Sequence, residues 1–416
     1  MRQRLVAVLT AGLIGSVLLS PASAAIKAGA TCTKLNQATV SAGFAFTCIK
    51  SGKKLVWSKG VKAATPTPTP SSTPTPSPTP TPSPTPALPI FVPPIAPTNF
   101  QDLIARIDGI KYQAWSKSRE IIDSSISVVG NTKILVGPNS IPSDPDLFRG
   151  LNLASRLFGS FAQVKNIYII EFNNQDITWG QAEYQTFQDQ TWRSDYLTKA
   201  RSQCPSITCQ NASAELNNQG DAIILIGINS AMNPSDAANQ NPGQFNGTQI
   251  AHEYVHTIQI LNSRMPQNLF RYALLPPWLQ EGQAMWAAQV SVASSYVDYL
   301  ALRKIDYPEL ATMSPSYSTE WISKFLNPNP ILLENADNWA YWAQFPNYRI
   351  YDIGALAIEI LTCLKGPTAV MKLYADVGLG DTFIQAFQKE FGISYSDAVP
   401  YISAAIAAEL KLGVNS

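Results

Sequence analysis

Apolar residues along this chain follow two different periods in a definite order. Between residues 133 and 228 they form short continuous runs: Lys133-Ile134-Leu135-Val136, closed by Gly137-Pro138, then Asn166 to Phe172, then Asp221 to Ile228. Runs of this length, rich in β-branched residues and bounded by turn formers, predict strands. A helix is expected before them, near 100–125, and another between the first two, from Asp146 to Phe161. Beyond residue 246 the apolar positions recur every three or four residues. That spacing predicts helices over 247–262, 277–294, 350–364, 367–377, 381–391 and 396–411. Strands first and helices after make an α+β fold, and the roughly 320 residues from about Thr98 onward suffice for a large core.

Upstream of Thr98 the pattern changes three times. Residues 1–24 read as a signal peptide: Arg2 and Arg4, the apolar run Leu5 to Leu19, then Ala22-Ser23-Ala24. The mature chain is therefore expected to be secreted or cell-wall associated. No later stretch reaches the roughly 18 uncharged apolar residues of a membrane span, so no transmembrane segment is expected in it. Residues 25–64 form a small basic unit, too short for an unaided core. From Thr65 to Pro86 the chain is nearly strict Thr/Ser-Pro alternation, which favours extended polyproline II and could reach about 70 Å. That linker, taken as 65–97, leads into one domain over 98–416.

Cysteine and charge sharpen this division. Export permits disulfides, and the spacing of the five cysteines suggests Cys32 with Cys48 and Cys204 with Cys209. Cys363 is left over in the apolar run Ile358 to Leu364, where it reads as a buried thiol. A net charge of +1 argues against a nucleic-acid or general polyanion binder. Seven lysines, however, lie at 27, 34, 50, 53, 54, 59 and 62 with no acid among residues 26–64, while 65–416 carry 21 basic against 29 acidic residues. The small unit could dock on an anionic cell envelope, or be a passive tail with solvated lysines.

The chemistry concentrates in Ala251-His252-Glu253-Tyr254-Val255-His256, which holds the only two histidines of the chain. Positions i and i+4 of a helix face the same way, so His252 and His256 can offer two nitrogens to one metal ion. Glu253 lies beside them, where a carboxylate can deprotonate a metal-activated water. A catalytic zinc takes three protein ligands, and with no other histidine the third must be a carboxylate. The best candidate is Glu281, in Pro276-Pro277-Trp278-Leu279-Gln280-Glu281-Gly282-Gln283-Ala284. Here Pro starts a helix, Trp278 and Leu279 anchor it, and Gly282 lets another backbone approach.

These two segments resemble the gluzincin superfamily of zinc metallopeptidases, of which aminopeptidase N is a familiar member. In that family a second helix bearing Trp-Leu-x-Glu-Gly-x-Ala supplies the third ligand, here Glu281. The resemblance implies a zincin-like catalytic domain, with a mixed sheet and the metal helix ahead of a mostly helical part. It also implies a Zn²⁺ cofactor and a peptide or protein substrate. Tyr348-Arg349-Ile350-Tyr351-Asp352-Ile353-Gly354-Ala355 resembles the family's oxyanion-tyrosine segment, which maps the role onto Tyr351, with Tyr348 as a rival. The separation between His256 and Glu281 is longer than in aminopeptidase N, which places the chain on a divergent branch. The family's Gly-x-Met-Glu-Asn string has a counterpart in Gly227 to Asn233 without its Glu, so exopeptidase specificity is not implied.

Three readings stay open at this level. The strand Ile223 to Ile228 is either a sheet edge that pairs an extended peptide or an ordinary core strand. Asp298 and Glu359 are both candidates to hold the imidazoles by their second nitrogen. The small unit, with its Lys-Lys-Leu-Val-Trp ending, also resembles a Cys-pair module of exported actinobacterial proteins, which implies a bacterial source. The leading expectation is a secreted zinc peptidase. The alternatives are a catalytically inactive zincin-fold envelope-binding protein and a zinc hydrolase of non-peptide amides or esters.

Overall fold

A computed structural model of the chain describes residues 27–41, 44–62, 91–142, 147–206, 209, 211–229, 242–264, 274–306, 317–327, 345 and 349–412. The expected signal peptide, most of the linker, Tyr348 and the Ser230–Asn233 string lie outside these residues. The chain divides into two compact units, Met1–Leu88 and Pro89–Ser416.

In the first unit, β1 (Ala38–Ser41), β3 (Lys54–Trp57) and β4 (Val61–Lys62) all pair antiparallel with β2 (Phe44–Ser51). Alternation along β2 turns Phe46 and Cys48 inward. The Cys32–Cys48 disulfide then ties the segment before β1 to the middle of the sheet. So small a unit needs that tie, because its apolar face is too small to offset the entropy of folding.

The second unit opens with α1 (Asp108–Ser124), then β5 (Asn131–Val136), α2 (Leu147–Leu157), β6 (Asn166–Phe172), α3 (Ile177–Phe187), α4 (Lys199–Gln203), β7 (Ala212–Leu216) and β8 (Ala222–Gly227). The sheet order is β5-β6-β8-β7, with β5, β6 and β8 parallel and β7 antiparallel to β8. Every residue of β8 is buried. That settles the reading of Ile223–Ile228: it is a core strand flanked on both sides, and β7 takes the edge beside it. The second disulfide, Cys204–Cys209, closes the loop between α4 and β7.

A helical part completes the unit: α5 (Thr248–Ser263), α6 (Pro277–Val292), α7 (Tyr296–Asp306), α8 (Thr319–Leu326), α9 (Arg349–Lys365), α10 (Pro367–Gly378), α11 (Phe383–Phe391) and α12 (Tyr395–Leu412). Helix and sheet are thus both present, with most of the helix after the last strand. Among the described residues no single helix is long and apolar enough to cross a membrane; α9 and α10 pass that test only jointly, across a 105° bend.

Helix α6 sits at the centre of this arrangement, with all but Met285 of its residues buried. Its contact with α9 is glycine against glycine. A Cβ on Gly282 would lie 2.3 Å from the Gly354 carbonyl carbon, and one on Gly354 would lie 2.5 Å from the Trp278 carbonyl oxygen. Only two residues without side chains permit backbones to cross this closely. Glu281 precedes one of these glycines and Tyr351 lies one turn before the other, so the crossing brings both toward the same place.

Candidate metal centre

Helix α5 carries the His-Glu-x-x-His segment. It starts behind Gly247, whose φ of 86° needs glycine, and it is covered by α2, α6, β7 and α10. One helical turn separates His252 from His256, and their rings meet nearly edge-on, with centroids 4.7 Å apart and planes at 84°. The two Nε2 atoms are 3.0 Å apart. Glu281 of α6 closes the triangle, its Oε2 lying 3.1 Å from His256 Nε2 and 3.4 Å from His252 Nε2. Tetrahedral N and O ligands at about 2.0–2.1 Å from an ion stand about 3.3–3.4 Å apart. The three observed edges are close to that, so one ion fits between these atoms.

Helix α6 holds Glu281 in place through its first turn. Pro277 occupies the N-terminal position, Trp278 donates from Nε1 to the Leu326 carbonyl at 2.9 Å, and the buried indole stacks on Tyr395.

The tautomer of His256 is legible from its partners. Gln259, one turn further along α5, donates from Nε2 to the Gln280 carbonyl at 3.0 Å and to Gln283 Oε1 at 2.9 Å. Its remaining oxygen, Oε1, faces His256 Nδ1 at 2.8 Å and can only accept. Nδ1 therefore carries a proton, so in the neutral imidazole it is Nε2 that presents a lone pair to the triangle. A lone pair, a carboxylate oxygen and a second imidazole nitrogen now converge within 3.4 Å. One N–H from His252 could serve a single edge of that triangle, whereas a cation serves all three corners. Two imidazoles and one carboxylate suit a divalent transition-metal ion.

The two acids left open as partners of the imidazoles lie elsewhere. Asp298, in the first turn of α7, is exposed and accepts from Ser294 Oγ, the contact that most strongly holds its carboxyl below the usual range. Glu359 is buried on α9, where it accepts from the Tyr299 hydroxyl and pairs with Arg303 at 3.0 Å; Arg303 also pairs with Glu409 at 2.7 Å. Neither acid has a described bond to a histidine. Gln259 has the role instead, and its cue in the sequence was an amide three residues after His256 inside the apolar run Ile258 to Leu261.

Access to the triangle is one-sided. The side chains of His256 and Glu281 are 2 % and 3 % exposed, that of His252 12 %. Glu253, next to His252, is buried as well. Tyr351 lies on the more open side, its ring near-parallel to His252 with centroids 5.9 Å apart and planes at 29°. All five residues marked from the sequence thus belong to two crossing pairs of helices. Comparison with known proteins adds nothing to this geometry: no protein-family model, curated protein or solved structure matches the chain.

Proposed function

We propose that this chain is a zinc-dependent peptide hydrolase of gluzincin type, exported from a bacterial cell and built on a zincin-like fold. The observation that carries the reading is the triangle of His252, His256 and Glu281, with a tautomer that turns a lone pair inward. These residues would hold Zn²⁺, which when bound polarises a scissile carbonyl and acidifies a water molecule. Glu253 takes the proton of the attacking water and delivers it to the leaving amine, so the reaction needs no covalent intermediate. Tyr351, stacked beside His252, donates its hydroxyl to the oxyanion, a role that no further histidine is present to fill.

The small unit adds a partner to this reading. Its seven lysines, with no acid among residues 26–64, suit an anionic surface of the cell envelope. Lys34, Lys53 and Lys54 are exposed.

Three proteins test the catalytic reading: wild type, Glu253→Gln and Glu281→Ala, each assayed for bound zinc and for cleavage of denatured protein, peptides and amide or ester reporters. Wild type should bind one zinc and cleave peptides, Glu253→Gln should keep zinc and lose cleavage, and Glu281→Ala should lose zinc. Stoichiometric zinc in Glu281→Ala would remove the third ligand. Equal inertness of wild type and Glu253→Gln would favour an envelope-binding protein, and cleavage confined to non-peptide reporters would favour a different zinc hydrolase.

A further inference from the structure

Gln259, Gln280 and Gln283 place amide groups in a part of the molecule that excludes water. Gln259 and Gln280 are each 2 % exposed and Gln283 is fully buried. A buried amide without partners costs about 1–3 kcal/mol, so its neighbours must repay its presence. Gln259 belongs to the histidine helix α5, the other two to the Glu281 helix α6, and the Gln280 carbonyl directly precedes Glu281. Gln259 accordingly touches one ligand of the triangle and the backbone beside another.

Each hydrogen bond in this group fixes the next. The Gln280 carbonyl can only accept, so Gln259 must aim Nε2 at it. That amide also donates to Gln283 Oε1, which orients Gln283 so that its own Nε2 finds no described partner. With Nε2 committed to α6, Gln259 Oε1 is turned to His256 Nδ1. A neutral clamp on α6 is in this way translated into the tautomer of His256.

We propose that Gln259 is the positioning residue of the metal centre: with Gln280 and Gln283 it forms an uncharged clamp that locks His256 as the Nδ1–H tautomer and registers the histidine helix against the Glu281 helix before any metal arrives. This deepens the metallohydrolase reading and rests on it for the identity of the ion. An amide does here what neither neutral apolar nor acidic side chains can do. Leucine would take from Nδ1 the acceptor that Gln259 supplies and would break the bond from Gln259 to the Gln280 carbonyl. Glutamate would hold Nδ1–H but set a carboxylate against the Gln280 carbonyl oxygen, adding a buried negative charge near Glu281 in the metal-free protein.

The test uses the full chain, in which two histidines give only four imidazole nitrogens to assign by ¹⁵N NMR. Metal-free wild type, measured above the imidazole titration range, should show His256 protonated at Nδ1. Gln259→Leu should show both tautomers exchanging and bind zinc roughly 10–100-fold more weakly in competition with a chromophoric chelator. Gln259→Glu should keep the Nδ1–H tautomer while its metal-free form melts below wild type. The proposal is overturned by an Nε2–H His256 in wild type, by Gln259→Leu binding zinc within twofold of wild type with an unchanged spectrum, or, should the leucine variant not fold, by loss of the Nδ1–H tautomer in Gln259→Glu. A wild type that holds the Nδ1–H tautomer yet binds no zinc leaves the clamp standing and removes the metallohydrolase reading, so the two failures are distinguishable.

Discussion

Tyr351 differs from phenylalanine by one hydroxyl, and the whole of its proposed role rests on that group. Tyr351→Phe keeps the ring against His252, so zinc binding and KM should hold while kcat falls about 10²–10³-fold, the usual cost of one oxyanion donor. An unchanged kcat would reduce Tyr351 to a packing residue. Cys363 makes the opposite case, a reactive group kept silent. It is buried on α9, and burial pushes its thiol up to about 12. Thiol reagents should therefore leave native protein unmodified at neutral pH and label one cysteine after unfolding without reductant. The sign for stability follows: the folded thiol holds its proton where the unfolded one, near its ordinary value of 9.0, gives it up. Its contribution is complete below about 9 and is lost as pH rises toward 12. A Cys363→Ala variant should lose less stability than wild type across that window in urea melts. Legibility at this scale followed chemistry. His252, Glu253 and His256 are marked by spacing within one helix, whereas Gln259 gains its meaning only from a carbonyl and an amide 21 and 24 residues later on another helix.

Helix crossings decide whether such residues meet, and the α6–α9 crossing is the tightest test. Gly282→Ala would place a methyl 2.3 Å from the Gly354 carbonyl carbon, backbone that cannot swing aside as a long side chain can. Overpacking in a closed core costs about 1–3 kcal/mol, and a clash with backbone belongs at the upper end. A urea midpoint lowered accordingly, together with weaker zinc binding because Glu281 moves with α6, is the expected result. A variant as stable as wild type would mean that the helices can part without consequence. The period of the apolar residues foretold most of these elements within a few residues of their ends: α5, α6, α9, α10, α11 and α12, and the strands β5, β6 and β8. It was silent on β7, whose Ala-Ser-Ala-Glu-Leu has no β-branched residue, and on α3, α4, α7 and α8. Those segments take their form from what they pack against: β7 from its ladder with β8, and the buried part of α3 from Phe172, onto which Gly180 fits closely. Whether β8 was edge or core could not be read from an apolar run alone, since a strand covered on both faces and both sides looks the same as one with a free edge.

Charge is the property that belongs to the molecule as a whole. A net +1 conceals seven lysines, without a single acid, among residues 26–64, set against 21 basic and 29 acidic residues beyond residue 64. In the proposed reading, opposite signs on one chain bear on where the protein would work: an anionic surface would attract the basic residues 26–64 and repel the acidic remainder. Attraction of this kind is long-ranged in dilute salt and falls away once the Debye length shrinks below about 10 Å, near 0.1 M. Each lysine near a surface of about −30 mV contributes about 1 kcal/mol. Replacing Lys34, Lys53 and Lys54 with Gln should then weaken attachment by about 3 kcal/mol, roughly a hundredfold. Their exposure makes the fold insensitive to the exchange. Sedimentation with anionic envelope fractions across a salt series measures this directly, and peptide cleavage in solution should not change. Retention that is indifferent to both salt and the three lysines would show that charge is not what holds the chain to the envelope, and the basic unit would then be a solvated tail.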